Sequence, residues 1–198
     1  MSSSLTAAPS DVQGSDARFN TIPSLDGAPP LVTVRHLTKT YRGRPALRDL
    51  SLSLPAGRIV GLMGANGCGK TTLLKILAGV LADYEGQVRI AGHAPGPLSK
   101  ALVSFLPDAD FLATSLTPPR AIAQFSRLFA DFDAAKARRL VDFFALPAER
   151  SIKEMSKGMG EKLRIALMMS RRARVYLLDE PISGVDPAAR EIILDGVL

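Results

Sequence analysis

The stretch Gly64-Ala65-Asn66-Gly67-Cys68-Gly69-Lys70-Thr71-Thr72 contains the pattern G-x-x-x-x-G-K-[ST] without a mismatch. Glycines let a backbone curl tightly, so its N–H groups can converge on a polyphosphate. A helix starting at the same point adds partial positive charge. In that geometry Lys70 reaches the outer phosphates and the Thr71 hydroxyl ligates Mg²⁺. A second chemical feature lies far downstream, where the apolar run Val175-Tyr176-Leu177-Leu178 ends in Asp179-Glu180. A carboxylate at the end of a buried strand can hold Mg²⁺, usually through water, and this role falls to Asp179. Glu180 is then placed to polarise an attacking water, as general base or orienting group.

These groups need elements to hold them. Arg58-Ile59-Val60-Gly61-Leu62-Met63 is an apolar run of strand length, and Thr72 to Ala78 has helical character, which gives the order strand, glycine loop, helix. Upstream, Val32, Val34 and His36 alternate with Thr33 and Arg35, and Leu50, Leu52 and Leu54 with Ser51 and Ser53, as in half-buried strands. Residues Pro55-Ala56-Gly57 form a turn, and Gln87–Ile90 and Ala101–Leu106 read as further short strands. The character then changes. Thr117 before Pro118 and Pro119 is a helix start, with a capping hydroxyl and proline in the first turn. Ile122, Phe125 and Phe129 follow at helical spacing, and Asp133 caps a second helix carrying Leu140, Val141 and Phe144. Seven of the eight phenylalanines fall between Phe105 and Phe144, which points to a small helical subdomain, residues 108–158, with its own core. A third helix spans Glu161 to Ala173, with Leu163, Ala166 and Leu167 on one face, and Pro187 opens a last one.

Composition bounds the rest. With 198 residues, 46% of them hydrophobic and 22% charged, one domain with an ample core is expected. The net charge of +6 is scattered, and no basic cluster reaches the density of a nucleic-acid arm. One cysteine, Cys68, excludes an internal disulfide and suits a reducing compartment. No stretch has the 18 consecutive apolar residues of a membrane span. Residues 1–30, rich in Ser, Ala, Pro, Gly and Asp, read as a flexible tail.

Taken together, residues 31–198 resemble an ATP-binding cassette (ABC) ATPase. Further motifs support this in the family's order. Tyr41 sits where the family places an aromatic that stacks on adenine. Met155-Ser156-Lys157-Gly158-Met159 sits at the LSGGQ signature, with Ser156 and Gly158 matching and the other three positions replaced. Ser183-Gly184-Val185-Asp186 resembles the D-loop, carried by Asp186. The resemblance implies an α/β fold, a P-loop NTPase core with an antiparallel β subdomain and an inserted helical subdomain. It implies that Tyr41 and residues 64–72 bind ATP, and that Thr71, Asp179 and Asp108 serve Mg²⁺. Glu180 would be catalytic, while Ser156, Lys157 and Gly158 would act in trans on ATP held by a second ATPase subunit.

The chain departs from the family pattern in two places. Asp108, in Phe105-Leu106-Pro107-Asp108, stands where the family usually has a glutamine, which adds charge and loses the amide donors. Some exporter-type members resemble this chain in that acid and in a degenerate signature. The family's switch histidine has no counterpart, since His36 and His93 lie elsewhere, so the expectation is a cassette incomplete at its C-terminus. The resemblance implies an ATP-hydrolysing transporter subunit, export being one direction in view, that powers a separate membrane-spanning permease subunit. It would be cytoplasmic, peripheral at the inner face of the membrane, with no nucleic acid expected. The alternatives are a non-transport ABC ATPase acting on nucleic acid or the ribosome, and a vestigial nucleotide-binding fragment.

Overall fold

The computed structural model describes residues 3–5 and 29–179. It divides into two compact units, before and after the Lys100–Ala101 bond, each with its own sheet and helices. The break falls ahead of residue 108, where the sequence changes character. Glu180 and Asp186, with the D-loop and the last helix, lie outside the described residues.

In the first unit, β2 (Val32–Tyr41) is central to an antiparallel sheet, flanked by β3 (Arg44–Leu54) and β5 (Glu85–Ile90). A second, parallel pair joins β1 (Ser3–Leu5) to β4 (Val60–Leu62). Within the stretch read as a tail, residues 3–5 are thus a strand, and residues 6–28 lie outside the described residues. A strand edge offers unpaired N–H and C=O groups, and a short extended segment meets them. The strand before the glycine loop is also shorter than the apolar run Arg58–Met63. Helix α1 (Lys70–Leu77) buries Leu73, Leu74, Ile76 and Leu77, and the sheet buries Val32, Val34, Leu37, Leu50, Leu52, Val88 and Ile90.

Strand β2 does not alternate as its sequence suggests. Its register shifts between Val34 and Leu37, where His36 takes φ 51°. Arg35 and His36 are both exposed, and the inward side resumes at Leu37 and Lys39. The bulge is backed by Gly86 of β5, where a Cβ would lie 2.3 Å from the His36 carbonyl oxygen. An extra residue in one strand flips the face of everything after it. That flip turns Lys39 inward, where it is 5% exposed.

Helix α2 (Pro97–Leu102) carries the chain across the boundary between the units. Its last turn takes up the start of the run Ala101–Leu106, so only Val103–Leu106 is strand β6. In the second unit β6 pairs in parallel with β7 (Val175–Leu178), Val103 opposite Val175 and Leu106 opposite Leu178. Helices α3 (Pro118–Leu128), α4 (Ala134–Phe143) and α5 (Lys157–Met169) complete it. Asp133 caps α4 as expected, accepting from the Lys136 N–H at 2.8 Å. Thr117 holds the N-cap position of α3, but its hydroxyl makes no capping bond. Two prolines in the first turn remove donors that a cap would satisfy. Phe125 is a hub, its ring 5.4 Å from Phe129, 5.7 Å from Phe132 and 6.2 Å from Phe111. The helical core is continuous with the strand layer: Phe125 and Val141 belong to one buried cluster with Leu163, Leu167 and Leu106.

Candidate functional site

The predicted residues appear in two groups, one in each unit. In the first unit the glycine loop leaves β4 at Leu62 and enters α1 at Lys70, with Met63 to Cys68 all exposed. Strand, loop and helix thus follow in the expected order, and the loop backbone faces solvent. Gly69 is the N-cap of α1 at φ 96°, and its carbonyl accepts the first helical bond, from the Leu73 N–H at 2.9 Å. A Cβ at Gly69 would meet the Ala46 carbonyl oxygen at 2.4 Å and Leu47 Cδ2 at 2.7 Å. The loop is therefore seated directly on β3, and only glycine fits. The Lys70 ammonium donates to the carbonyls of Gly64 at 2.8 Å and Ala65 at 3.0 Å. The cation is thereby held over its own loop, with the Cys68 Sγ 3.9 Å away. Thr71 and Thr72 stand in the first turn of α1.

Tyr41 ends β2, 45% exposed, beside the two-residue turn Arg42-Gly43, whose φ values are 46° and 80°. Paired positive φ values suit a tight hairpin. The Lys39 ammonium lies 4.9 Å from the centre of the Tyr41 ring and donates to Asp83 Oδ2 at 2.7 Å.

In the second unit, Asp108, Ser156, Lys157 and Asp179 line one cavity of about 380 Å³. Asp108 is exposed just past β6, and Asp179, 4% exposed, follows β7, so the parallel pairing of the two strands brings both acids to the same end. The Asp179 N–H donates to the Leu106 carbonyl at 3.0 Å, which fixes where β7 ends. Helix α5 begins at Lys157, four residues earlier than the sequence pattern suggested. Ser156 is its N-cap, and its hydroxyl accepts from the Met159 N–H at 3.2 Å. Gly158 lies in the first turn of α5 with open space around its Cα. The signature segment therefore does open a helix, whose end carries unsatisfied N–H groups suited to an anion.

Sequence reasoning missed other groups in this cavity. Arg164 is 13% exposed along its side chain and pairs with Asp110 at 2.5 Å, and Lys157 pairs with Glu161 at 3.8 Å. Lys157, Glu161 and Arg164 fall on one helical face by spacing alone, a signal available once the helix start is known. Among the described residues no group of three or more His, Cys, Asp or Glu side chains could hold a metal ion by itself. Nor is any described helix long and apolar enough to cross a membrane.

This is the fold of an ABC ATPase domain, an α/β P-loop architecture. Residues 47–183 match the profile of the family described as ABC transporter, which is more than half of the chain. The chain belongs to the ABC transporter family. It is 28% identical over 166 residues to the ABC transporter ATP-binding protein YtrB of Bacillus subtilis, covering 83% of this chain and 57% of that protein. It is 32% identical over 176 residues to the Nod factor export ATP-binding protein I of Ralstonia nicotianae, covering 84% of this chain and 54% of that one. The chain thus spans little more than half the length of these two curated relatives. A solved structure described as the ATP binding subunit of an ABC transporter superposes with a TM-score of 0.74 at 26% identity, over 84% of this chain and 72% of the other.

Proposed function

We propose that the chain binds and hydrolyses ATP as the nucleotide-binding subunit of an ABC transporter, powering a separate membrane-spanning permease at the inner face of the membrane. The observation that carries this reading is the exposed glycine loop, seated on β3 through Gly69 and closing on Lys70 at the start of α1. An exposed glycine loop with a helix end and a cation behind it suits a polyphosphate.

Each residue then has a task. Loop N–H groups from Gly64 to Gly69 hold the phosphates, and Lys70 exchanges its loop carbonyls for the outer phosphates. Tyr41 stacks on the base. Mg²⁺ would supply charge neutralisation on the phosphates, and Thr71, Asp179 and Asp108 are the residues assigned to it. Such an ion typically uses one or two side chains plus phosphate and water, which fits a site without a cage of its own. Glu180 orients and deprotonates the attacking water. The N-terminus of α5, with Ser156, Lys157 and Gly158, serves ATP bound by a second ATPase subunit. Residues 31–198 are the cassette, with 108–158 as its helical subdomain.

The test pairs two variants. Lys70→Ala should abolish MgATP binding in a protein that still melts cooperatively. Glu180→Gln keeps shape but loses the basic carboxylate, so it should bind ATP, hydrolyse it slowly and accumulate as an ATP-dependent dimer in size-exclusion chromatography. Parental MgATP affinity in folded Lys70→Ala would overturn the reading.

A further inference from the structure

Lys39 is a buried lysine for which the proposed chemistry has no use. Its side chain is 5% exposed, and burying an ammonium is costly unless it is paired. Two partners account for it, Asp83 at 2.7 Å and the Tyr41 ring at 4.9 Å. These partners come from different parts of the unit. Asp83 lies six residues beyond the end of α1 at Leu77, and Tyr41 ends β2. The hairpin that carries Tyr41 is thereby tied to the chain leaving α1. The same hairpin is tied to the start of α1 by the seat of Gly69 on Ala46 and Leu47, and Leu47 is the register partner of Lys39. The Tyr41 ring is thus fixed relative to both ends of the helix that begins at Lys70.

We propose that Lys39 is a positioning and specificity-determining residue, which holds the Tyr41 ring on one face so that the other face stacks on the nucleotide base. The inference rests on the reading of Tyr41 as the base platform. Two physical effects follow. The pinned ring has already lost its rotamer freedom, so stacking costs less ordering. The ammonium also draws on the negative face of the ring quadrupole. The opposite face is left more electron-poor, and an electron-rich purine stacks on it better. Asp83, 94% exposed along its side chain, holds the ammonium in place from the solvent side.

The experiment measures dissociation constants for MgATP and for magnesium tripolyphosphate, which has the phosphates but no base. The proteins are the parent chain, Lys39→Met, Lys39→Arg, Asp83→Asn and Tyr41→Ala. Tyr41→Ala should weaken MgATP roughly tenfold, as expected for one lost base–aromatic stack. Lys39→Met should weaken it about threefold to tenfold, a part of the same stacking contribution, and should leave tripolyphosphate binding unchanged. Lys39→Arg should restore most of the loss, and Asp83→Asn should fall between. If Lys39→Met does not fold, Asp83→Asn decides by the same comparison of ligands. Equal weakening of both ligands would show that Lys39 only supports the fold, and would overturn the proposal. Unchanged ATP affinity in Lys39→Met or Asp83→Asn, with Tyr41→Ala weakened, would overturn it too while leaving Tyr41 as platform. Unchanged ATP affinity in Tyr41→Ala would overturn the platform reading itself, and the proposal with it.

Discussion

Arg171 grips Asp131 from inside the second unit, its Nε lying 3.0 and 3.1 Å from the two carboxylate oxygens. The same guanidinium donates to the carbonyls of Val103 at 3.0 Å and Ala101 at 3.2 Å, and stacks 4.1 Å from the centre of the Phe129 ring. Its own carbonyl accepts from the Tyr176 hydroxyl at 2.5 Å. One residue thus joins the α3–α4 connection to β6 and β7, the strands that lead to Asp108 and Asp179. Arginine suits this place because its planar fork spreads five N–H donors over three nitrogens, whereas a lysine has three on a single atom.

Arg171→Met should therefore be among the costliest single changes in the second unit. It keeps much of the apolar stem but leaves Asp131 and two carbonyls without their donors. Breaking a buried pair from one side costs about 3 kcal/mol or more. Asp131 is 26% exposed and can recover some hydration, so the low end is expected. A urea titration would read this as a lower midpoint with an unchanged slope. Arg171→Lys should recover only part of it.

Acid should loosen the helical part of the second unit through two carboxylates. The Lys136 backbone N–H above all, with Arg172 and Arg139 nearby, holds Asp133 below the usual carboxylate range against a smaller opposing effect of burial. The Ser151 hydroxyl and then its N–H do the same for Glu154, forming a capping box at the 3-10 turn Ile152–Glu154. Because both groups titrate lower when folded, their contribution is fully present above the unfolded carboxylate value of about 4 and is lost as pH falls through their folded values. The melting temperature should drop on that acid limb. Asp133→Asn and Glu154→Gln keep the capping geometry but cannot titrate, so each should make the limb shallower. An identical acid limb in the parent and both variants would refute the assignment.

What could be read beforehand follows from how local each signal is. The glycine loop, the Asp133 cap and the Ile122–Phe125 face are set by residues within one or two turns of each other, and the structure has each in place. Helix α5 starts earlier than its sequence pattern predicts because Gly158 and Gly160 weaken the helical signal over Lys157–Gly160, whereas the Ser156 cap and later packing decide it. The apolar run Ala101–Leu106 suits helix or strand, and only its pairing with β7 settles where the strand begins. The β2 bulge and the inward turn of Lys39 depend on Gly86, far along the chain. Arg171 is one basic residue among a scattered charge, and only its distant partners make it a core residue.

Gly69→Ala should abolish nucleotide binding and also weaken the fold. Its φ of 96° disfavours any side chain, and the new Cβ would lie 2.4 Å from the Ala46 carbonyl oxygen. Relief requires the loop to lift from β3. Strain of this kind is worth about 1–3 kcal/mol, so the protein should still fold with a lowered melting temperature. Displacing the loop by even a fraction of an ångström misaims its N–H groups and Lys70. Calorimetric titration with MgATP should show no heat of binding in a sample whose circular dichroism is that of the parent. Retained affinity would mean that the loop does not need its seat on β3.

Ser156 should reveal two roles that separate by substitution. As N-cap of α5 it accepts from the Met159 N–H. Removing such a cap costs about 1 kcal/mol. In the proposed signature role it meets the phosphates of ATP bound by the second subunit. Ser156→Ala should lose both, with lower stability and lower turnover. Aspartate is as good a cap as serine, so Ser156→Asp should keep the parental melting temperature. Its carboxylate would, however, oppose the phosphates that the helix end is meant to attract, and turnover should fall strongly. The measurement is a thermal melt beside steady-state ATPase activity for the two variants, with MgATP affinity as a control expected to stay near parental in each isolated subunit. A Ser156→Asp protein as active as the parent would confine Ser156 to capping, and would remove the N-terminus of α5 from the chemistry.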